Sequence, residues 1–533
     1  MRFRSQVRCL AVAAFLAGGF QAASAQATSA AGAQADLAGG RVVLVLPFDN
    51  RSDQPNLDWI GESFATTINQ RMRSAGFLTI SRDDRVYALD HLGLPTGFRP
   101  TRATTIRIAQ TLDAQFVLVG SYNVKDGQVT AQAQVLEVNR LTMSKPLQQE
   151  ASLPRLLEVE NNLAWLCARQ MDPKFAVAQN TFVAASAGLK LDAYESYIRG
   201  ITANTDDERV KRLKTAVDLA PGNTSALLAL GKTEYTDSDY DNAAAVLAKV
   251  PAADPLALEA GFYRGLARFN TAHYADAEGA FAVVGTKLPL PEVINNQGVA
   301  MARQHKDGTV LLQRASSADP LDADYHFNVA VALHRKGDNA HAKTEIEQAL
   351  KLRPTDAEAR ELSAVIAGTH AAPAGFDPQE RIRRTYSEAA FRQAAFQIDQ
   401  LRGARIASLP PNKQADEYAQ AGQEYLTQGL VLEAEREFQS ALAADPNSAS
   451  GHLGLAQVRE RSGNAEDARK EASASLQTRP SVAAYLTLAR LDVAASNNSA
   501  AAIDVGNALR LEPGNSAAQG MKTMLTARGV SIP

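Results

Sequence analysis

A proline that recurs every 34 residues constrains this chain more than any other feature of its sequence. Prolines at this spacing are Pro221, Pro255 and Pro289, then Pro320 and Pro354, then Pro446 and Pro480. A fixed period in this range is typical of repeat architectures, in which each unit buries its apolar face by stacking on its neighbours. The sequence therefore predicts an all-α solenoid of helix–turn–helix units over much of its length.

Small residues return at fixed positions within these units. When the proline is placed at position 32, the unit that begins at Ala415 has Gly422 at position 8, Ala434 at position 20 and Phe438 at position 24. Small residues are expected where the two helices of a unit come closest, because a larger side chain would overpack the crossing. The pattern resembles the tetratricopeptide repeat, and this resemblance implies a non-catalytic interaction module with a concave groove.

The period is interrupted between Pro354 and Ala415. We therefore predict one repeat block at residues 190–370, a helical joint at 371–414, and a second block with a capping helix at 415–530. Within the joint, residues 379–401 are predicted to form one helix. The basic run at residues 381–384 is interpreted as a solvated face of that helix, with attraction of an acidic partner as the alternative.

The amino-terminal residues have the order of a secretory signal. Basic residues precede an apolar run at residues 10–20, which ends in small residues before Ala25. This order predicts a signal peptide at residues 1–25 that is cut after Ala25, a flexible linker at 26–40, and a periplasmic or secreted location. Loss of the three signal arginines changes the formal net charge from −3 to −6, which does not favour nucleic-acid binding.

Residues 41–175 have the pattern of an α/β domain. Residues 42–46 form a continuous aliphatic run that suits a buried strand. Apolar residues at steps of three and four predict an amphipathic helix at residues 57–72. Asp126-Gly127 separates two strand-like runs and predicts a tight hairpin, because both residues tolerate positive φ. The fold class is therefore an α/β amino-terminal domain followed by an all-α solenoid in two blocks.

This amino-terminal domain also resembles a known family. The resemblance is carried by residues 42–49 (VVLVLPFD), by Trp59-Ile60-Gly61 and by Gly120-Ser121-Tyr122. These stretches are similar to the TolB-like amino-terminal domain, which in bacteria is often followed by tetratricopeptide repeats. The resemblance implies a non-catalytic α/β interaction module.

The resemblance to tetratricopeptide repeats also implies which residues line the groove. These residues are Leu228, Lys232, Tyr235, Phe262, Leu266, Phe269, Phe327, Val331 and His334. Position 5 is apolar in the middle of the array, which disfavours a clamp for a peptide carboxylate and favours a helix or an extended peptide as the ligand. The alternative is that these aromatic residues pack against neighbouring helices or against a segment of the same chain.

Common catalytic and metal-binding motifs are absent from the sequence, and the eight histidines form no cluster with cysteine or carboxylate residues. No enzyme activity, cofactor or metal is therefore predicted. The predicted function is a periplasmic adaptor that binds protein or peptide partners of the cell envelope, with no transmembrane segment. The alternative is a small-molecule sensor in which the TolB-like domain binds the ligand and the repeats relay its presence. The oligomeric state is left open.

Overall fold

The computed structural model describes residues 41–52, 54–95, 100–369, 374–386 and 388–533. The predicted signal peptide and the linker at residues 26–40 lie outside the described residues. The described residues form two compact units. The first unit comprises residues 234–249 and 257–394, and the second comprises residues 41–233, 250–256 and 395–533.

The second unit contains a mixed β-sheet. Its strands are β1 (Val42–Val45), β2 (Asp49–Asn50), β3 (Leu78–Thr79), β4 (Phe116–Lys125), β5 (Gln128–Glu137), β6 (Thr142–Met143) and β7 (Leu147–Ser152). The main order is β3-β1-β4-β5-β6, while β2 pairs with β4 and β7 pairs with β5. The strands β1, β2 and β3 make parallel pairs, and β4 and β5 form an antiparallel hairpin.

The predicted hairpin is present in the sheet. Asp126 and Gly127 connect β4 to β5 with φ values of 52° and 73°. Positive φ at both residues matches the turn that suits the twist of a two-residue hairpin. Along β5, Val129, Ala131 and Ala133 are buried and alternate with exposed polar residues. One face of the strand therefore contributes to the core, as the alternation of the sequence predicts.

Helices pack around this sheet and continue beyond it. They are α1 (Trp59–Ser74), α2 (Arg82–His91), α3 (Arg102–Thr111), α4 (Leu156–Met171), α5 (Gln179–Ala184), α6 (Leu191–Ile201), α7 (Asp206–Leu219) and α8 (Thr224–Thr236). The predicted stripe on α1 is confirmed, since Ile60, Phe64, Ile68 and Met72 are fully buried. Each such side chain contributes about 1.5–3 kcal/mol to folding through the area it removes from water.

The rest of the chain is almost entirely helical, which confirms the predicted fold class. Its helices are α9 (Tyr240–Leu247), α10 (Ala257–Asn270), α11 (Tyr274–Lys287), α12 (Pro291–Ala302), α13 (Thr309–Ala318), α14 (Ala323–Arg335), α15 (Asn339–Leu352), α16 (Ala357–Ile366), α17 (Glu388–Ala407), α18 (Pro411–Thr427), α19 (Val431–Ala444), α20 (Ala449–Arg461), α21 (Ala465–Thr478), α22 (Val482–Ala494), α23 (Asn498–Leu511) and α24 (Ser516–Ala527). Across the described residues, no helix combines the length and the apolar character that crossing a bilayer requires.

The two helices of a pair pack most closely at the small residues that the sequence pattern predicts. A Cβ atom added to Gly265 would lie 2.7 Å from the ring of Phe281, and one added to Gly422 would lie 2.7 Å from the ring of Phe438. In both pairs the aromatic ring at position 24 fills the space beside the glycine at position 8. The small residue at position 20 is buried at the same interface, as Ala434 shows.

The predicted helix at residues 379–401 is wrong over its first part. Residues 378–386 have no helical structure, and α17 begins at Glu388. The composition of this stretch favours a helix, but the main chain at Arg381 and Arg383 bonds to asparagine side chains of α12 and α14 instead. Tertiary contacts have therefore overridden the local propensity.

Candidate functional site

The first unit contains a groove that is occupied by a segment of the same chain. Helices α12, α14 and α16 are the first helices of successive helix pairs, and they present polar and aromatic side chains to residues 377–386. We call this segment the strap. The sequence left open whether the groove would contact part of the same chain, and the structure shows that it does.

Asparagine side chains bind the main chain of the strap. The Asn328 side chain donates to the carbonyl oxygen of Arg381 at 2.8 Å and accepts from the Arg381 N–H at 2.6 Å. Asn296 makes the same pair of bonds with Arg383, both at 2.7 Å. Asn295 donates to the Arg381 carbonyl oxygen at 3.1 Å and accepts from Asn328 at 2.8 Å.

These bonds hold the strap in an extended conformation. Side chains that bind residues two apart match the two-residue period of a β-strand. Asn295, Asn296 and Asn328 are completely buried, so each unpaired amide group would cost about 1–3 kcal/mol. The groove therefore binds the main chain of the strap at these two residues through bonds that do not involve the side chains of Arg381 and Arg383.

Glu380, the strap residue immediately before Arg381, has a buried carboxylate. Glu380 is 2% exposed, and its two carboxylate oxygens lie 2.6 Å from Arg335 and 3.0 Å from Arg303. Arg303 also donates to the Glu380 carbonyl oxygen at 2.9 Å, and Arg335 donates to the carbonyl oxygen of Pro378 at 2.7 Å. Two guanidinium groups thus neutralise one carboxylate that is withdrawn from water.

The side chain of Arg381 enters an acidic cluster. Its guanidinium group lies 2.6 Å from Asp356, 2.9 Å from Asp324 and 2.9 Å from Glu358. It also lies 3.7 Å from the ring centroid of Phe327, which is a cation–π geometry. Hydrogen bonds from Arg381 hold the pKa of Asp356 below its ordinary value. Burial opposes ionisation of Asp324, but hydrogen bonds from Arg353 and Arg381 still lower the pKa of that carboxyl group.

Two carboxylates beside the strap also cap helices. Asp356 accepts from the N–H of Ala359 at the start of α16, and Asp322 accepts from the N–H of Asp324 at the start of α14. Asp322 also forms an ion pair with Arg383 of the strap. Helix N-termini favour acidic residues because of the macrodipole. The carboxylates at the N-termini of α14 and α16 therefore form an anionic surface beside the groove.

The strap ends in an aromatic cluster. The ring of Tyr386 lies 5.1 Å from the ring of Phe262 and 5.5 Å from that of Phe391, measured between centroids. Ile382 packs against two buried apolar clusters of the first unit, near Phe269. The interpretation of the basic run as a solvated helix face is therefore wrong, because Arg381 and Arg383 bind carboxylates and Ile382 is packed.

The predicted groove residues have different surroundings. Phe262, Leu266, Phe327 and Val331 are buried in the first unit, and Phe262 and Phe327 contact the strap. Phe269 lies beside the guanidinium group of Arg303. Phe262 and Phe327 therefore form the part of the groove floor that contacts the strap.

The remaining predicted residues make other contacts. Tyr235 packs against Tyr240 and Tyr263, and a nitrogen of His334 lies 2.8 Å from the side-chain oxygen of Asn339. Leu228 and Lys232 belong to the second unit, where Lys232 lies 3.4 Å from Asp83.

The sequence pattern did not predict the polar residues of the groove as one set. The sequence nevertheless contains a signal for them. Asn296 and Arg303 are separated by six residues, and so are Asn328 and Arg335. Both asparagines occupy position 6 and both arginines occupy position 13 of consecutive helix pairs. A polar pair repeated in register on buried helices indicates a shared ligand.

A second concave feature lies in the second unit. This cleft is lined by Asp58, Trp59, Glu62, Arg199, Thr202, Ala203, Asn204, Thr205, Glu208 and Arg212. Arg199 lies over the ring of Trp59 at 5.8 Å, and the buried indole N–H has no hydrogen-bond partner among the described residues. Both signs of charge line the cleft.

Family models match some of the helix pairs of the chain. Models of the tetratricopeptide repeat match residues 210–257, 420–483 and 323–356. The chain contains tetratricopeptide repeats. The match at 323–356 includes α14, so Asn328 and Arg335 belong to a tetratricopeptide helix. Such repeats are typically interaction modules without enzymatic activity, and neither matching model describes a catalytic family.

Solved structures resemble separate parts of the chain. The LpoB carboxy-terminal domain from Salmonella enterica is 25% identical, with 21% of this chain and 83% of that chain covered and a TM-score of 0.19. MamA from Desulfovibrio magneticus RS-1 is 20% identical, with coverages of 32% and 99% and a TM-score of 0.30. The tetratricopeptide domain of P58(IPK) is 16% identical, with coverages of 63% and 98% and a TM-score of 0.21. Comparison with curated proteins finds no match.

Proposed function

We propose that this protein is a periplasmic, non-enzymatic adaptor that binds protein or peptide partners of the cell envelope through its tetratricopeptide groove. The observation that carries the proposal is the mode in which the groove binds the strap. Buried asparagines pair with the main chain of an extended segment, which is a recognised way of binding peptides. The tetratricopeptide repeats support the same function, because arrays of such repeats present binding surfaces.

The groove is tested by partner capture. Full-length wild type and a variant with Asn296→Ala plus Asn328→Ala are crosslinked in the native envelope, and the captured proteins are compared. We expect the variant to lose the partners that bind through the groove. Gln297→Ala, beside Asn296 on the same helix, is the control, and it should retain them. An identical set of partners in all three samples would reject the groove as the binding surface.

The location of the protein is a separate part of the proposal. It is supported by the order of basic, apolar and small residues before Ala25. Cell fractionation and amino-terminal sequencing should find a periplasmic protein that begins at Gln26. A cytoplasmic protein with an intact Met1 would contradict this location. The TolB-like character of residues 41–175 is likewise proposed from the motifs at residues 42–49 and 59–61.

The second candidate function is a small-molecule sensor. The cleft beside Trp59 favours it, because a buried indole N–H without a partner and nearby charges of both signs are suited to a polar ligand. Thermal unfolding of wild type and of Trp59→Phe is measured against a panel of metabolites. A compound that stabilises wild type, but not the variant, would support the sensor. Failure of every compound to stabilise wild type would count against it.

A further inference from the structure

We infer that the strap is a tethered ligand, and that the groove of the first unit binds in its place an extended partner segment with an acidic residue followed by basic, apolar and basic residues. This inference rests on the proposed adaptor function and specifies the chemistry of the partner. The strap itself supplies the pattern, from Glu380 through Arg381 and Ile382 to Arg383.

The carboxylate site sets the first requirement for a partner. Arg303 and Arg335 converge on Glu380, and this carboxylate is almost fully withdrawn from water. A partner without an acidic residue at this point would leave the two guanidinium groups without the buried carboxylate that they share. The loss of this shared counter-charge disfavours binding, so the site selects for aspartate or glutamate.

The acidic cluster sets the second requirement. Asp324, Asp356 and Glu358 surround the guanidinium group of Arg381, and Asp322 faces Arg383. An arginine satisfies several carboxylates at once and stacks on Phe327, which a lysine does less well. The residue between the two basic residues must be apolar, because Ile382 packs against two buried apolar clusters of the first unit.

The polar character of these contacts makes exchange feasible. The strap is held mainly by hydrogen bonds and ion pairs, which a second peptide of the same pattern reproduces. The tether gives the strap a local concentration in the millimolar range, as for short linkers. A free peptide of micromolar intrinsic affinity therefore competes at a disadvantage of roughly 1000-fold. Weakening the strap should expose the intrinsic affinity.

The experiment uses a variant of the full chain in which only the strap is changed. In this released variant, Glu380→Ala, Arg381→Ala and Arg383→Ala remove three charged side chains that form ion pairs with the groove, and the groove wall is intact. The probe is a fluorescein-labelled peptide with the sequence of residues 376–386, FDPQERIRRTY. Fluorescence anisotropy is expected to show at least 100-fold tighter binding to the released variant than to wild type.

Matched controls test the charge of the segment, the carboxylate site and the asparagine contacts. Arg384 is exposed, so Arg384→Ala removes one charge from the same segment and should bind the probe as weakly as wild type. A probe in which lysine replaces the glutamate should lose binding to the released variant. Addition of Asn296→Ala and Asn328→Ala to the released variant should also abolish binding of the original probe.

Two outcomes would overturn the inference. The first is a released variant that unfolds cooperatively but binds the probe no better than wild type does. The second is a released variant that dimerises by light scattering and excludes the probe, since a second copy of the chain would then be the occupant.

A measurement on wild type covers the case in which the released variant does not fold. The amide hydrogens of Arg381 and Arg383 are bonded to asparagine oxygens, so their exchange with solvent reports on the bound strap. Saturating unlabelled peptide should accelerate their exchange, and unchanged exchange would overturn the inference. Envelope partners that wild type captures and the Asn296→Ala plus Asn328→Ala variant loses would leave the adaptor function standing while the tethered ligand fails.

Discussion

At the scale of single residues, the buried carboxyl group of Glu160 is the clearest source of pH dependence. It accepts hydrogen bonds from Ser63 and Thr67, and Thr67 also bonds to Tyr194 at 2.7 Å. Burial raises the pKa of Glu160 to about 7, although these hydrogen bonds and the charge of Arg71 oppose the rise. The folded protein therefore binds this proton more tightly than the unfolded chain does.

The sign of the resulting effect follows from linkage. The stability that protonated Glu160 contributes is fully present below about pH 4.5, and it is lost as the pH rises through 7. Glu160→Gln cannot ionise, so its free energy of unfolding should rise relative to wild type by roughly 3 kcal/mol between pH 5 and pH 8. Urea unfolding at several pH values measures this difference. The control is Glu208→Gln, on an exposed face of α7, whose free energy of unfolding should change with pH as that of wild type does. The same pH dependence for Glu160→Gln and wild type would contradict the prediction.

A second prediction at this scale concerns Cys167. The thiol is completely buried on α4, and burial raises its pKa to about 12. Since the thiolate is the reactive form, the native protein should not react with Ellman's reagent at pH 8, whereas the protein in urea should release one equivalent per chain after removal of the signal peptide. Rapid reaction of the native protein would show that α4 opens readily.

At the scale of elements, the contact between a glycine and an aromatic ring determines how each helix pair closes. Gly422→Ala places a methyl group 2.7 Å from the ring of Phe438. We therefore expect the free energy of unfolding to fall by about 1–3 kcal/mol, the usual cost of overpacking. Gly520 on α24 has no neighbour within 4 Å of an added Cβ. Gly520→Ala should therefore stabilise the protein by about 0.5–1 kcal/mol. Thermal unfolding compares the two variants, and equal effects would argue against the contact.

The sequence predicted these elements better than it predicted the strap. Helix pairs follow from local periodicity, since residues such as Gly422 and Ala434 recur where geometry demands them. Residues 379–384 of the strap are mostly good helix formers. The non-helical conformation of the strap depends on Asn296 and Asn328, which lie more than fifty residues away in the sequence. No local pattern reports such a contact. The aromatic floor at Phe262 and Phe327 was predicted because those positions are fixed within each repeat.

At the scale of the whole molecule, a buried ion pair joins distant parts of the second unit. The carboxylate of Glu435 on α19 is fully buried and lies 2.7 Å from Arg459 on α20. The same carboxylate accepts from the N–H of Ala178 at 2.9 Å and from the hydroxyl of Thr181 at 2.5 Å. The segment that follows the sheet is thereby fixed to a tetratricopeptide helix more than 250 residues later.

This connection can be tested with the two tryptophans of the chain. Trp59 and Trp165 lie on α1 and α4, beside the sheet. Arg459→Met leaves the Glu435 carboxylate buried without its cation, which should cost about 3–5 kcal/mol. We expect tryptophan fluorescence to report a lower urea midpoint, although the substitution lies about 300 residues from Trp165 and about 400 residues from Trp59.

The matched control is Arg490→Met. It breaks a partly exposed pair with Glu460 and should cost less than about 1 kcal/mol. If Arg459→Met leaves the fluorescence transition unchanged, the sheet and the late repeats unfold independently.

The order of the strap and the groove along the chain has a consequence for biosynthesis. The groove helices α12, α14 and α16 are complete at Ile366, and the strap ends twenty residues later at Tyr386. At about 5–20 residues per second, the ribosome adds this stretch in roughly 1–4 seconds. The groove helices are therefore synthesised before the strap. The interval in which a growing chain contains the groove but not the strap is short. Every complete chain therefore carries the segment that fills its own groove, and a partner must displace that segment.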